Sequence, residues 1–199
     1  MKISVISASH RQKSESERVA KIISSRLVKI NNDIKLHNLC LANSEIPLWS
    51  TEKGDKNSIW SKKWLKISQS LKTSLGFILI VPEYGGMATP QAKNFFLLCG
   101  DGELAHKPGL IVSISSGLGG SYPISELRAS SYKNTHIMWI PENIIIRNVE
   151  QFLPGNQGKD IPHWIEDRLD YCLELLLAYG KYMLPLRDQI NRRDFGNGM

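Results

Sequence analysis

Phe77-Ile78-Leu79-Ile80-Val81-Pro82-Glu83-Tyr84-Gly85-Gly86-Met87-Ala88-Thr89-Pro90 runs from an unbroken apolar stretch into a glycine-bearing loop and on to a residue that can open a helix. Five apolar residues in a row leave no wet face. They suit a central parallel strand covered on both sides. Pro82 ends the run. Pro90 is acceptable in the first turn of a helix reaching Cys99, because the missing N–H is one no helix uses there. The least routine residues of this unit therefore sit at the carboxyl end of a buried strand.

The same alternation continues outward. Upstream, Ser58 to Leu75 reads as a helix with Ile59, Trp60, Trp64, Ile67 and Leu71 as packing positions. A long polar connection, Cys40 to Asn57, carries Pro47, Trp49 and Gly54. Ile34 to Leu39 alternates, as a half-buried or edge strand does. Ser16 to Lys29 is helical, with Val19, Ile22, Ile23 and Leu27 on one face, and Ile3 to Ser7 is the first strand. Downstream, Leu110 to Ile114 is a fourth strand, Ser115 to Ser121 a loop and Ile124 to Ser131 a helix. A fifth strand runs from Thr135 to Ile140 and is closed by Pro141, with Ile144 to Ile146 as a separate short extended piece. Pro162 opens a leucine-rich helix to about Tyr182, and Pro185 interrupts it.

Strands and helices that alternate in this way predict a parallel sheet with helices on both faces, an α/β fold. Right-handed crossovers leave few topologies, and a five-stranded sheet in the order 2-1-3-4-5 is one of the two common answers. In that order the ligand crevice lies at the carboxyl ends of strands one and three. The expected organisation is one domain over residues 1–184 and a C-terminal tail over 185–199.

Composition narrows the function classes. Apolar residues are 42 % and charged residues 22 %, ordinary globular usage. No apolar run approaches a membrane span, and the first residues lack the pattern of a signal peptide, so a cytoplasmic protein is expected. Cys40, Cys99 and Cys172 form no CxxC pair, which argues against a zinc ribbon or an iron–sulfur cluster. The net charge of +6 favours anionic ligands, but the basic residues are scattered, without the dense patch that nucleic-acid binding needs. Histidines 10, 37, 106, 136 and 163 are dispersed and propose neither a triad nor a metal cluster.

Three loops should meet at the crevice. The first is Ala8-Ser9-His10-Arg11-Gln12-Lys13-Ser14-Glu15-Ser16. Its hydroxyls, the free N–H groups of a helix start and the Arg11 fork all suit a phosphate. By itself it also reads as a solvated turn with Ser14 or Ser16 as N-cap. The second is Val81 to Pro90. Gly85 and Gly86 let backbone approach a flat ligand and Tyr84 adds an aromatic surface; the plain alternative is a tight turn with a packing tyrosine. The third, Ser115-Ser116-Gly117-Leu118-Gly119-Gly120-Ser121, has three glycines, and alone it is equally a surface loop.

Together these segments resemble the NAD(P)H-dependent FMN reductases, a flavodoxin-like family related to quinone, azo-dye and chromate reductases. The family motif G-S-x-R-x-x-S-x-N is met by Ser9, Arg11 and Ser14, with Ala8 for Gly and Ser16 for Asn. The motif T-P-E-Y-N-G-S-x-P-x-x-L-K-N is met by Pro82, Glu83, Tyr84, Gly86, Lys93 and Asn94. Val81, Gly85, Met87 and Thr89 depart from it. Ser115, Gly117 and Gly120 match S-x-G-x-x-G, and Glu126-Leu127-Arg128 falls where an E-x-L-R-like helix segment is expected.

The resemblance implies that Ser9, Arg11, Ser14 and Ser16 hold the FMN phosphate. Pro82, Glu83, Tyr84, Gly85 and Gly86 would line the ring and ribityl chain, and Ser115, Ser116 and Gly117 would complete the pocket. It implies hydride transfer from NADPH or NADH through FMN to a quinone, free flavin, azo or similar acceptor, with no general base. It implies a homodimer or homotetramer too, to which Trp49, Trp60 and Trp64 could contribute if they are not simply packed. An electron carrier without nicotinamide turnover is the competing reading, though such carriers are usually acidic. A non-catalytic module that lost flavin is another.

Overall fold

The computed structural model describes residues 1–55, 57–152 and 164–190, apart from the side chains of residues 53, 54, 59 and 60. Five strands form one parallel sheet: β1 (Lys2–Ser7), β2 (Lys35–Cys40), β3 (Gly76–Pro82), β4 (Pro108–Ile114) and β5 (Met138–Ile146). Their order is β2-β1-β3-β4-β5, one of the two common answers to the alternation and the one the resemblance implies. Five helices connect or follow them: α1 (Glu15–Ile30), α2 (Ile59–Lys72), α3 (Pro90–Leu98), α4 (Tyr122–Ser130) and α5 (Trp164–Gln189).

Every residue of β3 and β4 is buried. Alternate side chains of these strands feed two separate cores, as the pleat requires. Ile78, Ile80, Leu110 and Val112 pack with Val19, Ile23 and Leu27 of α1 and with Leu169, Leu173 and Leu176 of α5. Phe77, Leu79, Val81 and Ile111 face Trp64 and Leu71 of α2, Phe95 of α3 and Leu127 of α4. Each fully buried side chain of this size contributes roughly 1.5–3 kcal/mol. Gly109 is required inside the second core. A Cβ there would lie 2.4 Å from Phe77 Cζ and 2.8 Å from the Trp139 ring, which meet edge to face with centroids 5.4 Å apart.

The fifth strand differs from the expectation. It does not start at Thr135 and is not closed by Pro141; it begins at Met138 and continues through Pro141 to Ile146. The register shows why. Gly109 faces Trp139 and Ile111 faces Asn143, so two extra residues of β5 bulge out of this edge strand. Pro141 lies in the bulge, where no ladder N–H is needed. Arg128 Nη2 fills the other half of the account, donating to the carbonyls of Ile140 (2.5 Å), Glu142 (3.2 Å) and Pro141 (3.3 Å). Ile144 to Ile146 is therefore the end of β5, not a separate piece.

The last helix also runs further than Pro185 suggests, to Gln189. Proline removes one bond, to the carbonyl of Lys181, and this stretch is largely exposed, so water can serve that carbonyl. Pro162, read as the start of this helix, lies outside the described residues.

Candidate functional site

The three loops meet at the carboxyl ends of β1, β3 and β4. At their centre Tyr84 and Met87 exchange both backbone hydrogen bonds, Tyr84 N–H to Met87 O at 3.0 Å and Met87 N–H to Tyr84 O at 3.1 Å. Gly85 and Gly86 between them have φ of 59° and 73°. Positive φ at both central residues marks the type I′ hairpin turn, favoured by Asn-Gly and Gly-Gly alike. Gly85 in place of Asn thus keeps the backbone while dropping the amide. An added Cβ would meet only Met87 Cε or Tyr122 Cδ2, each at 3.8 Å, so the turn fronts open space.

The first loop is tied to this turn. Ser9 Oγ lies 3.1 Å from Tyr84 Oη and accepts the Arg11 N–H at 3.0 Å. The Arg11 guanidinium stands 5.7 Å from the Tyr84 ring centroid, and His10 meets that ring edge-on at 5.5 Å. Thr89, the N-cap of α3, donates its hydroxyl to Ala8 O and accepts Ala92 N–H at 3.2 Å. Ser14 caps α1 by accepting Glu17 N–H at 3.3 Å, and its Oγ lies 2.9 Å from Ser16 Oγ. Two hydroxyls carry two protons and one is spent between them. The other remains to be donated at the positive end of α1, a few residues after the exposed Arg11.

Glu83 ties the turn to the third loop. Its Oε2 accepts Gly120 N–H at 2.7 Å and Tyr122 N–H at 3.3 Å. Ser121, at the N-cap of α4, makes no side-chain cap bond, so Glu83 caps that helix from the neighbouring strand. Gly119 makes room for it, since a Cβ there would lie 2.5 Å from Glu83 Oε1. Ser115 Oγ accepts Gly117 N–H at 3.2 Å, Ser116 is exposed, and a Cβ on Gly117 would meet nothing within 4 Å.

Of the twelve residues expected at the site, Ser9, Arg11, Ser14, Glu83, Tyr84, Gly85, Gly86, Ser115, Ser116 and Gly117 lie on three adjoining loops, while Pro82 ends β3 and Ser16 stands in the first turn of α1. Their polar atoms are not equally available. Arg11 and the glycine turn face solvent, whereas the Glu83 carboxylate is spent on α4. Sequence reasoning missed Thr89 and Glu126. Glu126 Oε2 accepts Ala88 N–H at 2.7 Å and Oε1 meets Lys93 Nζ at 2.5 Å. Partial burial pushes the Glu126 carboxyl up, but the Lys93 ammonium and the Ala88 N–H outweigh it and hold it below the usual carboxylate range. The E-x-L-R resemblance was the only signal for it.

Met87 and Tyr122 border the turn at 54 % and 66 % exposure, and Leu118 of the third loop is 80 % exposed. A basic, hydroxyl-bearing helix start on one side and an open glycine turn with apolar neighbours on the other fit FMN, an elongated ligand with an anionic end and a flat ring. A cavity of about 570 Å³ lies elsewhere, between α3 and α4, walled by Trp49, Phe96, Leu97 and Leu127, and none of the twelve residues lines it. Trp64 is 4 % exposed with its Nε1 3.3 Å from Glu103 Oε1, so it is a core residue and not interface surface. Trp49 is half-exposed and the Trp60 side chain is outside the described residues. Among the described residues no group of three or more His, Cys, Asp or Glu could hold a metal ion. No helix among them is long and apolar enough to cross a membrane.

Residues 1–151 match the family model described as NADPH-dependent FMN reductase. Among solved structures the chain is similar to an oxidoreductase from Corynebacterium diphtheriae, at 16 % identity and a TM-score of 0.71, covering 91 % of this chain and 97 % of that one. It is similar to FerB, a flavoenzyme NAD(P)H:acceptor oxidoreductase from Paracoccus denitrificans, at 16 % identity and a TM-score of 0.70, covering 92 % and 98 %. The apo form of the NADH:FMN oxidoreductase EMOB shares 13 % identity at a TM-score of 0.66, covering 88 % and 87 %. No curated protein matches the chain.

Proposed function

The chain belongs to the NADPH-dependent FMN reductase family, and on that premise we propose that it passes hydride from NADPH or NADH through FMN to a quinone, free flavin, azo compound or similar small acceptor. Membership makes it a flavin-dependent oxidoreductase with FMN as cofactor and NAD(P)H as electron donor. The observation that carries the finer reading is the open type I′ turn at Gly85 and Gly86, tied on one side to a phosphate-suited helix start and on the other to α4.

When bound, FMN would supply the redox chemistry, accepting hydride from the nicotinamide and passing the electrons to the acceptor. The chain itself binds and aligns. Arg11 and the free hydroxyl proton of the Ser14–Ser16 pair, with Ser9 beside them, hold the phosphate at the positive end of α1. Gly85 and Gly86 would offer N–H groups to the flavin ring. Pro82, Tyr84, Ser115, Ser116 and Gly117 shape the walls, and Glu83 holds the third loop in place. No residue has to take a proton from substrate. A second copy would cover Met87, Leu118 and Tyr122, giving a homodimer or homotetramer in the cytoplasm. A monomer at micromolar concentration in sedimentation would remove that assembly.

The decisive experiment is a flavin spectrum with and without added FMN, followed by anaerobic NADPH or NADH. Bleaching by either donor and recovery with a quinone is the expected result. Binding without bleaching would make the protein an electron carrier, and no binding would leave a non-catalytic module. Arg11→Ala should weaken FMN binding about tenfold or more and leave riboflavin nearly unchanged.

A further inference from the structure

The type I′ turn is closed within itself, and Thr89 beyond it is anchored to Ala8 O. Ala88 is the joint between these two fixed points. Its N–H goes to Glu126, which reaches across from the middle of α4. The accepting carboxylate is in turn held by Lys93, one turn into α3, at 2.5 Å. The contact runs opposite to that of Glu83, which leaves the β3 loop to cap α4. Two carboxylates thus brace the β3 loop and α4 in both directions, each by charge-assisted bonds, the stronger kind.

We propose that Glu126 is a positioning residue for flavin binding: through Ala88 it sets where the Gly85–Gly86 edge stands, with Lys93 keeping its carboxylate in place. The inference rests on the FMN reading of the site. Its physical content is a separation of effects. Removing Glu126 leaves the hairpin hydrogen bonds and the Thr89 anchor intact, so the turn survives as a turn. What it loses is one of its two ties to α4. The edge that reads the ring is then free to pivot, while the phosphate end, held on α1, is untouched.

Two measurements test this on the full chain. The first is hydrogen–deuterium exchange of the ligand-free protein over residues 84–89. Glu126→Ala should speed exchange at Ala88 about tenfold or more, as loss of a bond to a charged acceptor implies. Glu126→Gln keeps an acceptor but not the charge and should fall between wild type and Glu126→Ala. Lys93→Met, which spares the charged acceptor of the Ala88 bond, should stay closer to wild type than Glu126→Gln. The second is titration with FMN and with riboflavin. Glu126→Ala should weaken both by the same factor, about tenfold, unlike Arg11→Ala, which should penalise FMN alone.

Unchanged exchange and unchanged affinity in Glu126→Ala would overturn the proposal. So would Glu126→Gln behaving as badly as Glu126→Ala, or a loss confined to FMN. A wild-type protein that binds neither flavin sinks the FMN reading instead, and exchange at Ala88 then still decides whether Glu126 holds the turn.

Discussion

The two ends of the sheet close helix termini with opposite charges and in opposite surroundings. At the carboxyl end the Glu83 carboxylate caps the N-terminus of α4 in a loop that stays wet. At the amino end Lys107, 2 % exposed, caps the C-terminus of α2, its Nζ donating to Leu71 O at 2.5 Å and Lys72 O at 2.8 Å. Both arrangements oppose the helix dipole correctly. The dry one displaces its own titration. Burial, with repulsion from Arg187, brings the Lys107 ammonium down to about 7 despite the nearby Glu103. Glu103, fully buried, spends its carboxylate on Ser68 Oγ at 2.7 Å, Asp101 N–H at 2.8 Å and Trp64 Nε1 at 3.3 Å. A charged helix cap is therefore sensitive to pH at the dry end, where the cap is Lys107.

The contrast can be broken most forcefully at Gly120. Its φ is 109° and an added Cβ would lie 2.6 Å from Ile145 Cγ2. Gly120→Val combines backbone strain with overpacking and should cost about 3 kcal/mol in urea denaturation. Lys107 comes next. Its folded-state pKa is depressed from 10.5 to about 7, so between those values the unfolded chain binds a proton that the folded chain refuses. Stability should then rise with pH across that window, by as much as about 1.4 kcal/mol per pH unit. Lys107→Met should flatten the rise, and an unchanged slope would place its origin elsewhere. Glu83→Ala, which removes the α4 cap, should cost about 1 kcal/mol in the ligand-free protein, and Glu83→Gln should recover most of it. The smallest effect belongs to Gly85→Asn. Asn-Gly suits a type I′ turn as well as Gly-Gly, so stability should move by less than about 0.5 kcal/mol and FMN affinity should hold.

The fold was legible because its signals are local. An apolar run such as Phe77 to Val81 can sit only in a sheet covered on both faces, and the spacing of Val19, Ile23 and Leu27 needs only its own helix. The loops were legible as a set because topology brings the carboxyl ends of β1, β3 and β4 together whatever their details. What stayed hidden depends on partners far along the chain. Pro141 looks like a strand end until Arg128 is seen to satisfy the carbonyls of the bulge. Glu83 reads as a ligand contact until the N-terminus of α4, whose Ser121 makes no cap bond, is found within its reach. Lys107 is one lysine among many in the sequence, and only its packing against α2, residues 101–106 and Arg187 of α5 removes its water. Pro185 breaks a helix on paper, yet costs little where the lost bond faces solvent.

The hairpin at Tyr84 and Met87 has a kinetic consequence. Its hydrogen bonds are internal, so its shape exists before any ligand arrives. Association then needs no loop to order first, and the entropy usually lost in ordering a binding loop is lost during folding instead. Loading would follow as a simple second-order encounter, its rate proportional to free FMN and slowed by salt that screens Arg11.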